Sequence, residues 1–185
     1  MIPAILHRTV PEETTREVET WWQQFGDLNP GWDLRTYREP IDPADWPMTG
    51  QLFERCQNGA QKAGLIRLEC LYRDGGIYVD SDCQPFRSLE PLRHTSAFAG
   101  WEDAHVVPDA VLGCEPSHPA FAEMIRRATR LVAANRDAWK SGPGVATGVL
   151  PGRDDVLLLP PGAFYPMHYL DRRSREMIVH ERPPW

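Results

Sequence analysis

Cysteine is scarce in this 185-residue sequence, and its four cysteines lie far apart. Cys56, Cys70, Cys83 and Cys114 form no CxxC pair, and their spacing indicates no disulfide framework. A reducing compartment is therefore the simplest interpretation.

Positive charge and long apolar runs are lacking as well. The formal net charge is −6 at pH 7, so the field of the whole molecule does not favour nucleic acid or an anionic membrane. A polyanionic ligand would need a metal ion or a local basic patch. No window approaches the roughly 18 apolar residues of a membrane span, and the N-terminus lacks the pattern of a signal peptide. We therefore expect a cytoplasmic protein without a transmembrane segment.

The sequence does contain an alternation of strand-like and helical segments. Its length suits one domain with a substantial core. Apolar patterning predicts strands at 2–10, 32–37, 77–79, 97–101, 110–114 and 156–159. Helical patterning predicts helices at 12–25, 49–58, 60–72 and 118–135, the last of them capped by Ser117. This alternation predicts an α/β fold with a layered sheet.

The segment YRDGGIYVDSD, residues 72–82, joins a double glycine to an apolar strand that ends in two carboxylates. Ligands of open α/β sheets bind beyond the carboxyl ends of the strands, and Asp80 and Asp82 point the same way in an extended chain. Two such hard oxygen ligands suit Mg²⁺ or Mn²⁺ carrying a phosphorylated ligand. In isolation, an acidic pair of this kind is more often a solvated turn.

The residues around this pair carry a longer pattern. It runs from an arginine through a leucine-rich helix and a tyrosine to Gly-Gly-Ile-Tyr, an apolar residue, Asp-x-Asp and Pro-Leu. The residues that supply it are Arg67, Leu68, Leu71, Tyr72, Gly75, Gly76, Ile77, Tyr78, Asp80, Asp82, Pro85 and Leu89. This segment resembles the DXD-motif sugar transferases of glycosyltransferase family 32, which include yeast-type α-mannosyltransferases and bacterial capsular polysaccharide sugar transferases.

Other segments resemble the same family in the same order along the chain. They match its opening strand, its Asn-Pro turn, the His-Pro segment before a late helix, its Gly-Pro loop and its late strand. These segments are residues 2–7, 29–32, 115–119, 142–147 and 159–166. His180 and Trp185 match the histidine and tryptophan that close the family's domain. The resemblance therefore extends over nearly the whole chain.

The resemblance implies an α/β fold of the GT-A type, a Rossmann-like α/β/α arrangement, as a minimal single domain over residues 1–185. It also implies a metal-dependent, retaining hexosyltransferase that takes its sugar from a nucleotide-diphosphate donor. The implied cofactors are Mn²⁺ or Mg²⁺ and a UDP- or GDP-linked sugar. The implied acceptor is a glycan, a lipid-linked glycan or a protein, and the short chain leaves room for an acceptor-binding partner protein.

The family's site residues carry over to five positions. Asp80 would contact the donor ribose and the metal, Asp82 would be the main metal ligand, and His180 would complete the metal shell. Arg67 would contact the donor sugar or diphosphate, and Trp185 would cover the donor. Asp80, Asp82 and Arg67 are therefore the implied catalytic residues.

Two further candidates for donor contacts are weaker, and one family position is missing. His7 and Tyr78 match the pattern, but a lone histidine is more often a hydrogen-bonded core or surface residue, and Tyr78 equally suits the core. Relatives commonly carry an Asp three residues before the arginine, where it holds sugar hydroxyls, but this chain has Gly64. Either another group replaces that Asp, or donor choice differs, or transfer is weak.

Two alternative classes also have to be considered. A non-catalytic relative that binds a sugar nucleotide or glycan would account for Gly64. A haloacid-dehalogenase-type phosphatase also uses an Asp-x-Asp after an apolar strand, with the first Asp as nucleophile. Its motif requires Thr or Val two residues after the second Asp, whereas this chain has Gln84 there. That motif also normally opens the domain, so the phosphatase is the less favoured alternative.

Overall fold

Six strands form one sheet within residues 1–166, the part of the chain that the computed structural model describes. The strands are β1 (Ile5–Val10), β2 (Asp33–Arg38), β3 (Gly76–Val79), β4 (Ala97–Gly100), β5 (Val111–Cys114) and β6 (Leu157–Leu159). Their order across the sheet is β2-β1-β3-β5-β4-β6. β1 runs parallel to β2 and β3, β5 runs antiparallel to β3 and β4, and β6 is parallel to β4. Each predicted strand is present, with its ends within three residues of the prediction.

Residues 1–166 also contain five α-helices. They are α1 (Arg16–Leu28), α2 (Gly59–Asp74), α3 (Pro119–Ala133), α4 (Ala138–Ser141) and α5 (Pro143–Val149). Short 3₁₀ turns cover Pro43–Asp45, Gly50–Arg55 and Glu90–His94. α2 ends at Gly75, as its double glycine predicts.

Three predictions about helix ends and types are wrong. α1 begins at Arg16 and not at residue 12, because the Thr15 side chain caps it by accepting from Val18 N at 3.3 Å. The predicted helix at 49–58 is a 3₁₀ turn, since Leu52 N and Cys56 N each donate to the third residue back. His118 and not Ser117 caps α3, because its Nδ1 accepts from Ala120 N at 3.2 Å.

Both faces of the sheet are covered. On one face, α2, α3 and α5 pack over residues that include Tyr78 and Leu112. On the other face, α1 and the 3₁₀ turn at Glu90–His94 pack over residues that include Ile77 and Phe98. All four residues of β3 are buried, as expected for a strand with helices on both sides. The result is an α/β/α arrangement with β3 near its centre.

Within residues 1–166, no helix combines the length and the apolar character that a bilayer crossing requires.

Candidate active site

Gly75 and Gly76 make the sharp turn that leads from α2 into β3. Both have positive φ, 67° and 100°, a region in which glycine is the least strained residue. A Cβ on Gly75 would lie 2.7 Å from Pro116 Cδ, and one on Gly76 would lie 2.7 Å from the Ile5 carbonyl oxygen. The double glycine therefore allows β3 to enter the sheet directly beside β1.

β3 delivers the acidic pair to the carboxyl edge of the parallel part of the sheet. Asp80 N donates to the Ala110 carbonyl at 2.9 Å, and Cys83 N donates to the Asp80 carbonyl at 3.0 Å. The chain consequently turns as soon as the strand ends. The Asp80 side chain is 32% exposed, and Asp82 is exposed. The pair thus lies at the strand end, where the sequence places it.

Arg67, on α2, joins the acidic pair to a third carboxylate. Its buried guanidinium donates to Asp80 Oδ1 and to Asp109 Oδ2. The guanidinium carbon also lies 4.6 Å from the centre of the Tyr78 ring, in the arrangement of a cation–π contact. Burial alone would lower the pKa of Arg67, but the Asp109 and Asp80 carboxylates raise it well above its usual range. Arg67 is therefore a permanent buried cation at the centre of the site.

Asp80 is the carboxylate whose protonation this environment changes most. Burial raises the pKa of Asp80 to about 6; the Arg67 charge opposes the rise, and the nearby Asp109 and Asp82 carboxylates add to it. At pH 7 Asp80 is still mainly ionised, so two carboxylates, those of Asp80 and Asp109, pair with the one Arg67 cation, and the Asp82 carboxylate lies close to Asp80. This excess negative charge suits the binding of a divalent cation.

A cavity of about 290 Å³ opens beside these charges. Residues of α2, the strand ends and the α4–α5 segment surround it. The lining residues are Ala60, Gln61, Gly64, Leu65, Arg67, Asp80, Asp109, Ala138, Trp139, Ser141, Gly142 and Pro143. Among the described residues, Asp82 does not line this cavity. The cavity brings together two predicted site residues, Arg67 and Asp80, with two that sequence reasoning missed, Asp109 and Trp139.

Asp109 is brought to the site by the direction of β5, which the sequence of that strand does not reveal. β5 pairs with β3 antiparallel, with Val79 opposite Val111, so the residues just before β5 lie beside the residues just after β3.

Asp109 also lies close to Gly64, the position at which relatives commonly carry an Asp. A Cβ on Gly64 would lie 3.9 Å from Asp109 Oδ2, so a carboxylate from another element lies beside that position. This geometry favours the replacement of the missing Asp by another group.

His7 and Tyr78 are both fully buried. His7 Nε2 donates to the Gly75 carbonyl at 2.8 Å, and its Nδ1 accepts from the Tyr37 hydroxyl at 2.9 Å. The Tyr78 hydroxyl accepts from Thr9 N at 3.2 Å. Both side chains are thus engaged inside the protein, and their direct contact with a donor stays a prediction.

His7 should make folding stability depend on pH. Burial lowers the pKa of His7 to about 4, so between pH 6.5 and 4 the unfolded chain binds a proton that the folded chain does not. Stability is then fully present above pH 6.5 and is lost as the pH falls toward 4, by about 2–3 kcal/mol at pH 4.5. Urea unfolding of wild type and His7→Gln at pH 7 and 4.5 measures this loss. We expect the variant to lose less stability than wild type over that interval.

The matched control for this experiment is His94→Gln, which removes an exposed histidine. Asp80 contributes with the opposite sign, because its raised pKa makes the folded chain bind the extra proton. Asp80 is present in all three proteins, so the comparison cancels its contribution. Equal pH slopes for wild type and His7→Gln would contradict the prediction.

His180 and Trp185 lie outside the described residues. Their predicted roles as metal ligand and donor cover stay predictions. Within residues 1–166 no group of three or more His, Cys, Asp or Glu side chains is arranged to hold a metal ion. Within the described residues, Asp80 and Asp82 are the carboxylates that the DXD motif offers to a cation.

The fold is that of the GT-A glycosyltransferases. The structure matches the PaToxG glycosyltransferase with a TM-score of 0.63 at 13% sequence identity, over 80% of this chain and 68% of that one. At this identity the match concerns the fold alone, and it confirms the predicted GT-A class.

The sequence is similar to that of sugar-transferring proteins. Residues 16–99 match the family model of the glycosyltransferase sugar-binding region containing the DXD motif. The chain is 28% identical over 138 residues to inositol phosphoceramide mannosyltransferase 3 of Schizosaccharomyces pombe. It is also 28% identical over 134 residues to mannosyl phosphorylinositol ceramide synthase CSH1 of Saccharomyces cerevisiae. The predicted resemblance is confirmed: residues 16–99 are similar to the DXD-containing sugar-binding region of glycosyltransferases, and the chain is similar to yeast mannosyl-transferring proteins.

These two alignments cover 70% and 68% of this chain but 38% and 35% of the relatives. The chain thus spans little more than a third of the length of the curated relatives it matches.

Proposed function

We propose that this chain is a metal-dependent, retaining glycosyltransferase that moves a hexose from a nucleotide-diphosphate sugar to a glycan, lipid-linked or protein acceptor. The observation that carries the proposal is the placement of Asp80 and Asp82 at the end of β3, beside a buried arginine and an open cavity. The family match over residues 16–99, which include both aspartates, supports the same activity.

The acidic pair fits a divalent cation in its chemistry. Asp82 is exposed, whereas one oxygen of Asp80 accepts from Arg67. Asp82 would therefore be the principal ligand and Asp80 the second one, with Mn²⁺ or Mg²⁺ as the ion. When bound, the cation would offset the negative charge that develops on the leaving nucleoside diphosphate.

Arg67 has a positioning role in this proposal. Its two terminal nitrogens hold the Asp80 and Asp109 carboxylates, which fixes the wall of the cavity from two different elements. Its buried Nε has no hydrogen-bond partner within residues 1–166.

The relatives suggest where to begin the search for a donor. Both sequence relatives described above are named as mannosyl-transferring proteins that act on inositol phosphoceramide or synthesise its mannosylated form. GDP-mannose is therefore the first donor to test, followed by UDP-linked hexoses. The acceptor hydroxyl would attack the anomeric carbon, and no described side chain is assigned as its base.

The test is a screen of nucleotide sugars with Mn²⁺, with and without a chelator. We expect at least one GDP- or UDP-hexose to yield nucleoside diphosphate and sugar, and the chelator to abolish this turnover. Phosphomonoesters should release no inorganic phosphate. Cleavage of phosphomonoesters together with fluoroberyllate trapping at Asp80 would instead identify a phosphatase. Tight binding of a nucleotide sugar without any turnover would identify the non-catalytic alternative.

A further inference from the structure

Trp139 is a large aromatic residue that stays half-exposed. It is 53% exposed and lies on α4, where it forms part of the wall of the cavity beside Arg67. Within residues 1–166 its ring makes no aromatic pair and no cation–π contact. An aromatic ring that is left open in this way at a cavity wall is a typical contact surface for a ligand.

Two glycines let Trp139 and Asp109 pack close to the backbone at the cavity wall. A Cβ on Gly144 would lie 3.3 Å from Trp139 Cζ3 and 3.2 Å from the Trp139 carbonyl oxygen. A Cβ on Gly142 would lie 2.8 Å from Asp109 Oδ2. The Gly142-Pro143-Gly144 segment therefore lets an indole ring and a carboxylate approach the same backbone turn from two sides.

The chemistry of the cavity is divided between apolar and anionic groups. The indole ring is flat and electron-rich on its face. Asp109 and Asp80 supply carboxylate oxygens that accept hydrogen bonds, and Arg67 holds both carboxylates in place. The volume of about 290 Å³ is at the lower end of the range for small-molecule sites. This volume is large enough for one sugar ring.

We propose that Trp139 is the platform on which a pyranose ring packs, with the hydroxyls of that ring directed to Asp109. A pyranose matches these two kinds of group. Its C–H groups form an apolar face that can pack on the indole, and its hydroxyls project from the edge and can donate to carboxylates. This inference rests on the proposed function, because the ring is that of the donor sugar or of the acceptor. Trp139 would then determine which sugars the cavity accepts.

Separate nucleotide and sugar probes test this assignment. The binding of GDP, GDP-mannose and methyl α-mannoside is measured by calorimetry, with Mn²⁺, for wild type, Trp139→Ala and Trp139→Phe. UDP and UDP-glucose are measured in parallel. We expect Trp139→Ala to weaken nucleotide-sugar binding roughly three- to tenfold and to leave nucleotide binding unchanged. Trp139→Phe should restore most of the loss, because it retains an aromatic face.

A different result is expected if the pyranose that packs on Trp139 belongs to the acceptor. In that case Trp139→Ala leaves nucleotide-sugar binding and hydrolysis unchanged but raises the KM for methyl α-mannoside in transfer by a similar factor. Equal losses for nucleotide and nucleotide sugar, no change with any probe, or no rescue by Trp139→Phe would overturn the assignment. The melting temperature of each variant shows whether it folds.

Failure of the proposed function is distinguishable from failure of this site. If wild type binds neither the nucleotides nor the nucleotide sugars, the transferase proposal falls. In that case the binding of methyl α-mannoside alone tests the proposed pyranose site. Binding that Trp139→Ala removes and Trp139→Phe restores supports the site, and absence of binding overturns it.

Discussion

Asp82→Asn is expected to leave the fold intact and to lower Mn²⁺-dependent turnover of a nucleotide sugar by roughly a hundredfold or more. The side chain is exposed, so its replacement by an amide of the same shape costs little folding free energy. The amide supplies no negative charge to a bound cation, which removes the main predicted ligand. Initial rates of nucleoside diphosphate release, with the donor and Mn²⁺ both varied, measure the effect.

The matched control for this variant is Asp27→Asn, which removes an exposed carboxylate from α1. It changes the net charge equally but lies outside the proposed site. We expect the control to retain full turnover and the same dependence on Mn²⁺. Undiminished activity of Asp82→Asn, or wild-type activity that a chelator does not affect, would remove the metal role.

Arg67→Met should have the largest effect on stability. The guanidinium is only 5% exposed and pairs with Asp80 and Asp109. Its removal leaves two partly buried carboxylates without their cation, and breaking a buried ion pair typically costs about 3–5 kcal/mol. Because Asp80 is about one third exposed, we expect a loss of about 3 kcal/mol, at the lower end of that range. Urea unfolding at pH 7 measures the change.

Arg67→Lys is the conservative comparison for that experiment. A lysine retains the charge but has a single nitrogen, which cannot hold two carboxylates in the fixed geometry of a guanidinium. We expect an intermediate loss of stability. In Arg67→Met/Asp109→Asn, the cost should fall below the sum of the two single changes, because the two residues share one interaction. A loss under about 1 kcal/mol for Arg67→Met would contradict the central role of this cation.

Local patterns were sufficient to predict the sheet and the position of the acidic pair. The apolar run at 77–79 and its double glycine specify β3 almost to the residue, because burial on both faces and positive φ leave strong sequence signals. The helix ends were less predictable. Whether Thr15 or an earlier residue caps α1 depends on one hydrogen bond, and His118 is an unusual cap that helix preferences do not favour.

The cavity wall was harder to predict than the strand end. Asp109 becomes a site residue only because β5 runs antiparallel to β3, and the direction of a strand leaves no mark on its own sequence. Trp139 resembles an ordinary core aromatic until its exposure is known. Residues that the topology brings together from distant segments of the chain need the fold before they can be recognised.

The connection between β4 and β5 has a consequence for the thermodynamics of binding. Val107 N donates to Thr147 Oγ1 at 3.0 Å, and the same hydroxyl donates to the Val107 carbonyl at 3.3 Å. One threonine of α5 thus clamps the segment that carries Asp109 to the helix that follows Gly142. These two hydrogen bonds hold the Asp109 segment and α5 together before any ligand arrives. Less conformational entropy of the protein therefore remains to be lost when a ligand binds. A ligand would meet a preorganised gap whose width is set by the protein.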